Sequence, residues 1–76
     1  MSRAGGVIKR SVAIAGHRTS ISLEEPFWAE LQAIAQGRGR SAQSLIAEID
    51  SGRGAQNLSS AIRVFVLAMV RERSGA

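Results

Sequence analysis

The stretch His17-Arg18-Thr19-Ser20-Ile21-Ser22-Leu23-Glu24-Glu25-Pro26 decides how this chain folds. Its first seven residues alternate, with Ile21 and Leu23 on one side and Arg18, Ser20 and Ser22 on the other. A period of two belongs to a half-buried strand. The last three residues open a helix: proline is tolerated in a first turn, where its missing N–H is no loss, and carboxylates there favour the positive end of the helix dipole. A single strand ahead of helices leaves its ladder groups unpaired, so a second strand is required.

Working upstream, Lys9-Arg10-Ser11-Val12-Ala13-Ile14-Ala15 also alternates, with Val12 and Ile14 together on one side. The apolar phase is even here and odd from Thr19 onward, and Gly16 is the residue able to absorb the change, as a bulge or as a turn. Two arrangements satisfy the pattern. In one, Gly16-His17 is a two-residue hairpin turn that pairs Ile14 with Thr19 and Val12 with Ile21. In the other, Gly16 ends a flexible arm, and the strand from Arg18 to Leu23 pairs antiparallel with its copy in a second chain.

Working downstream, Phe27, Trp28, Leu31, Ile34 and Ala35 recur at spacings of three and four, one buried stripe of a helix that Gly37-Arg38-Gly39 terminates. Ser41 has the character of an N-cap for a second helix with Leu45, Ile46 and Ile49 on one face. Residues 52–57 are loop, with two glycines and little apolar content. Asn57 caps a third helix over residues 58–73, whose main stripe is Ile62, Phe65, Val66 and Met69. Val64, Leu67 and Val70 spread its apolar character further around the cylinder, which calls for a second surface to bury against, expected from another subunit.

The chain has 76 residues, no cysteine and one histidine, and carries a formal charge of +4. One small domain of this size needs a staple, and without cysteine or a metal cluster the remaining one is oligomerisation. The apolar run from Val64 to Val70 is far shorter than the roughly 20 residues of a membrane helix. These features give an expected cytoplasmic location. No nucleophile, base and oxyanion set can be assembled, so the chain reads as a non-enzyme that needs no cofactor and no metal. Residues 1–10 read as a flexible basic arm, and from Met1 to Arg18 there is no acid at all. That asymmetry fits an anionic partner, an idle solvated arm or a targeting peptide. Nine of the ten bases are arginine, whose planar fork suits phosphate and guanine.

Thr19-Ser20-Ile21-Ser22-Leu23, Phe27-Trp28-Ala29-Glu30-Leu31, Ile34-Ala35, Gly39-Arg40-Ser41 and Ser44-Leu45-Ile46-Ala47-Glu48-Ile49 occur in an order that resembles the ribbon-helix-helix family of Arc- and MetJ-like DNA-binding proteins. With Ser11 to Leu23 and Asn57 to Arg63 included, the chain is similar to a bacterial subfamily with an N-terminal arm and an added third helix. The resemblance implies a mainly α fold with one short strand, and a core over residues 11–51. It also implies an intertwined homodimer with an intermolecular two-stranded antiparallel ribbon, and extends to a tetramer as an open alternative. Arg18, Ser20 and Ser22 would face the bases of double-stranded DNA in the major groove. Lys9, Arg10, His17, Arg40 and Ser41 would touch its backbone, and Ile21, Leu23, Trp28, Leu31, Leu45, Ile46 and Ile49 would form the dimer core. The implied function is a nucleoid-associated transcriptional regulator, a repressor or autoregulator. Rivals are an antitoxin-type DNA-binding protein and a small adaptor that binds a protein through the third helix. Two serines on the reading face make Arg18 its one strong base reader, with DNA shape expected to supply part of the specificity.

Overall fold

The computed structural model describes residues 6–75, with the side chains of residues 74 and 75 left aside. Strand β1 (Val7–Ile14) and strand β2 (His17–Glu24) form a two-stranded antiparallel sheet, followed by helices α1 (Glu25–Gly37), α2 (Ala42–Gly52) and α3 (Leu58–Gly75). The second strand is therefore supplied by the same chain, and the single short strand expected from the sequence is two strands of eight residues each. β1 begins inside the stretch read as a basic arm, while residues 1–5 of that arm lie outside the described residues.

The turn between the strands is Ala15-Gly16, one residue earlier than the glycine-first turn at Gly16-His17. Ile14 pairs with His17, Val12 with Thr19 and Arg10 with Ile21. Both turn residues have positive φ, 50° at Ala15 and 83° at Gly16. That is the signature of a type I′ turn, whose twist matches that of the flanking strands. Moving the turn by one residue moves the register by two, so the same side chains stay on the same face. Alternation was blind to the difference for that reason.

Each helix boundary has a local cause. Proline sits in the first turn of α1, and at its other end Gly39, at φ 69°, closes a Schellman motif. Arg40 N–H donates to Ala35 O at 2.9 Å and Gly39 N–H to Gln36 O at 3.0 Å. Ser41 Oγ caps α2 by accepting from Ser44 N–H at 3.0 Å, and Asn57 Oδ1 caps α3 by accepting from Ser60 N–H at 3.2 Å.

The inner face of the hairpin lies on the helices. Val12, Ile14, Ile21, Leu23, Leu31, Ala35, Leu45, Ile46, Ile62 and Val66 form one buried cluster, and Trp28 and Ile49 pack against it half-buried. The residues expected in a dimer core all lie in or against this cluster, to which β1 contributes Val12 and Ile14 beside Ile21 and Leu23, and α3 contributes Ile62 and Val66. The main stripe of α3 is covered by its own chain, whereas Val64 and Leu67 remain 57% and 51% exposed.

Candidate nucleic-acid interface

On the outer face of the hairpin the register sets Lys9 across from Ser22, Ser11 across from Ser20 and Ala13 across from Arg18. Ser22 is half-buried and the other five are exposed. Arg18 Nη1 donates to Ser11 Oγ at 3.2 Å, which lays the guanidinium diagonally across the two strands. Arg18, Ser20 and Ser22 share one face of β2, as their alternation predicts. β1 adds Lys9 and Ser11 to that face. Ser11 had no assigned role, and the signal that marks it is its parity: it alternates with Val12 and Ile14, so it points outward when they point inward.

Charge pairing separates this face from the rest of the surface. Five arginines are matched to acids: Arg10 to Glu25, Arg40 to Glu48, Arg53 to Asp50, Arg63 to Glu24 and Arg73 to Glu30. Among the described residues the bases without an acidic partner are Lys9, Arg18, Arg38 and Arg71. Arg38 is engaged on α3 instead, 5.5 Å from the Phe65 ring centroid and with Nη2 3.3 Å from Met69 Sδ. Lys9 and Arg18 are thus the two unmatched charges on one exposed, hydroxyl-bearing ribbon, where a cation is available to an anion at no cost of a broken ion pair.

The remaining residues assigned to DNA backbone contact lie elsewhere. Arg10 is on the inner side of β1: its guanidinium lies 4.4 Å from the Trp28 ring centroid and Nη2 donates to Glu25 Oε1 at 3.0 Å. Its Nη1 is buried without a hydrogen-bond acceptor, and stacking on the indole supplies part of what hydration would have given. His17 also falls on the inner side, exposed at the turn, in a shallow pocket with Ile14, Thr19, Asp50, Arg53 and Leu58. Arg40 is folded back along α2, where it pairs with Glu48 and donates to Ser44 O at 3.1 Å. The hydrogen bond from Arg40 and its charge hold the Glu48 carboxyl below its usual range. Ser41 is the cap of α2, and Gln43 Oε1 accepts from Ala13 N–H at 3.4 Å, so the N-terminal turn of α2 starts beside the ribbon.

Two residues that fix the ribbon escaped the sequence reading. Ser22 N–H donates to Ser59 Oγ at 3.0 Å, and Arg63 donates to Ser22 O at 3.0 Å and to Glu24 Oε1 at 2.9 Å. The Glu24 carboxyl is lowered first by the hydrogen bond from Arg63 and then by its own backbone N–H, against a smaller desolvation. Ser59 and Arg63 stand four apart, beside the buried Ile62 of α3. Polar residues at that spacing on an apolar helix are the only local hint that they meet a strand.

Among the described residues no helix is long and apolar enough to cross a membrane, and no group of three His, Asp or Glu could hold a metal ion. The family model for a ribbon-helix-helix domain matches residues 7–70. An uncharacterized protein from Bordetella pertussis Tohama I has a solved structure similar to this one, with a TM-score of 0.79 and 34% sequence identity. The match covers 96% of this chain and 63% of that protein, so the chain spans less than two thirds of its relative's length. No curated protein matches.

Proposed function

Because the chain belongs to the ribbon-helix-helix family, a fold that in general binds DNA and forms dimers, we propose that it is a transcriptional regulator of repressor or autoregulator type. It would lay the outer face of its hairpin in the major groove of duplex DNA. The observation that carries this reading is the pair of unmatched cations, Lys9 and Arg18, standing among Ser11, Ser20 and Ser22 on one exposed ribbon. A two-stranded ribbon fits the width of the major groove, where arginine takes both acceptors of guanine and serine serves either a donor or an acceptor edge. The first turn of α2, beside β1, suits a flanking phosphate through its dipole.

Selection of bound sites from random duplex DNA tests the reading. Enrichment of a defined motif by the unmodified chain, lost with Arg18→Ala, is the expected result. Binding that never rises above that of bulk duplex would reject a sequence-specific regulator.

One observation favours the protein-binding alternatives. Pro26, Phe27, Glu30, Val66, Leu67 and Val70 line an apolar groove between α1 and α3, with Val64 exposed close by along the helix. An adaptor or an antitoxin would use that groove. Leu67→Glu separates them from the first reading, because it should leave DNA binding intact while abolishing any association made through α3.

A further inference from the structure

We propose that α3 sets the DNA preference of one end of the ribbon: Arg63 and Ser59 are positioning residues that hold Ser22, and Lys9 across from it, at the angle from which base edges are read. This rests on the DNA reading above and deepens it by naming residues that decide specificity without touching the duplex.

The outer face has two ends with different supports. Arg18 lies beside the turn, across from Ala13, and Ser22 lies at the open end, across from Lys9. Four residues of strand, about 13 Å at strand rise, separate Arg18 from Ser22, so the two ends meet different base pairs. Near the turn, Ala13 N–H donates to Gln43 Oε1 at 3.4 Å, a long contact at an exposed site. The open end is tied more closely. Ser22 N–H donates to Ser59 Oγ at 3.0 Å, Arg63 Nη2 donates to Ser22 O at 3.0 Å, and Arg63 Nε donates to Glu24 Oε1 at 2.9 Å, all of them part-buried.

Hydrogen bonds on both backbone groups of one residue fix the rotation of the strand about its own axis at that point. The Ser22 side chain turns with that backbone, and Lys9 follows through the pairing of the strands. A binding constellation tolerates only about 0.5 Å and 10–20° of error, so a small roll of the strand is enough to misalign it.

The ties have firm footings of their own. Leu23 and Ile62, the sequence neighbours of Ser22 and Arg63, are both 0% exposed. The Arg63 guanidinium lies 6.0 Å from the Phe27 ring centroid. Glu24 occupies the N-cap position of α1, yet its side chain caps nothing there and anchors Arg63 instead. With its charge matched by Glu24, Arg63 is not one of the cations open to a phosphate. Its effect on DNA is transmitted through Ser22.

Site selection from random duplex DNA and salt titration on Arg63→Met, Arg63→Lys and Ser59→Ala test the proposal. Arg63→Met and Ser59→Ala should lose preference by about tenfold at the base pairs met by Ser22 and Lys9, the discrimination of one base contact, and keep the preference set by Arg18. Arg63→Lys should recover part of the loss, because an ammonium can hold Ser22 O or Glu24. The salt slope should stay unchanged in all three; a fall of about 0.9 with Arg63→Met would show Arg63 holding a phosphate itself and overturn the positioning role. A motif unaltered by both Arg63→Met and Ser59→Ala would overturn it as well. Should Arg63→Met fail to fold, Ser59→Ala carries the test, since it removes one hydroxyl. Hydrogen exchange without DNA supplies the independent readout: the Ser22 amide should be protected in the unmodified chain and exchange faster in Ser59→Ala, and equal rates would overturn the tie. Protection at Ser22 with no duplex enriched by the unmodified chain rejects the DNA reading and the positioning role with it, an outcome distinct from an enriched motif that the variants leave intact.

Discussion

The two faces of the hairpin are built from the same sixteen residues of strand and behave as different materials. The inner face holds Val12, Ile14, Ile21 and Leu23 in the core and lays Arg10 over Trp28 beside Glu25. The outer face holds Val7 and Ala13, the serines Ser11, Ser20 and Ser22, the carboxylate of Glu24, which is taken by Arg63, and the two cations Lys9 and Arg18, neither of them ion-paired. Arg10 and Arg18 carry the same charge eight residues apart. Strand parity and register send one into the fold and leave the other to solvent. Charge counted along a sequence therefore overstates what a ribbon can offer to an anion, and pairing decides which charges remain.

Mutations should break this contrast in a graded way. The largest effect is expected for Ile21→Asp, which puts a carboxylate among Leu23, Val12 and Ile62 in a site 1% exposed to solvent. An unpaired buried charge costs several kcal/mol, comparable to the whole stability of a domain this small, so the variant should be unfolded by circular dichroism at room temperature.

Next comes the arginine pair. Arg18→Ala should weaken binding to a selected site by about 1–3 kcal/mol while shifting stability by less than about 0.5 kcal/mol, because the side chain is exposed. Arg10→Ala should do the reverse: it removes a cation-π contact and an ion pair, lowering stability by about 1 kcal/mol with motif preference unchanged. Denaturant titration and band-shift assays on both variants read the two halves of that prediction. If Arg10→Ala were to alter the motif, the separation of the faces would fail.

A smaller gain is expected at the turn. Ala15 holds a φ of 50°, where a side chain other than glycine, asparagine or aspartate is disfavoured. Ala15→Asn should raise stability by about 1 kcal/mol, seen as a higher denaturation midpoint, by giving the type I′ turn its preferred first residue.

The mildest test concerns pH. The Glu24 carboxyl is lowered from its ordinary 4.5 by the hydrogen bond from Arg63. A lowered acid contributes stability that is complete above the ordinary value and disappears as pH falls through the lowered one. Titration from pH 6 down past 4.5 should therefore loosen the tie between β2 and α3, and Glu24→Gln should flatten that part of the curve.

Much of this architecture could be read locally. Alternation from Arg18 to Leu23, Pro26 in a first turn, the Gly37-Arg38-Gly39 stop, and the Ser41 and Asn57 caps each act within four residues of themselves, and all of them are seen in the structure. Arg18, Ser20 and Ser22 share a face for the same reason. Arg40 was legible only as a base at a helix start, because its partner Glu48 lies eight residues on, two turns along α2.

The sequence by itself determined the parity of the ribbon, the helix boundaries and the apolar stripes, because periodicity and capping are short-range physics. The tertiary structure decided the partner of β2 and which arginines remain unmatched. Those outcomes depend on Ser59 and Arg63 meeting residues about 40 positions away, and on Arg10 meeting Trp28 from another element. A register shift of two leaves every side chain on its face, so no pattern of alternation could have chosen between a turn at Ala15-Gly16 and one at Gly16-His17.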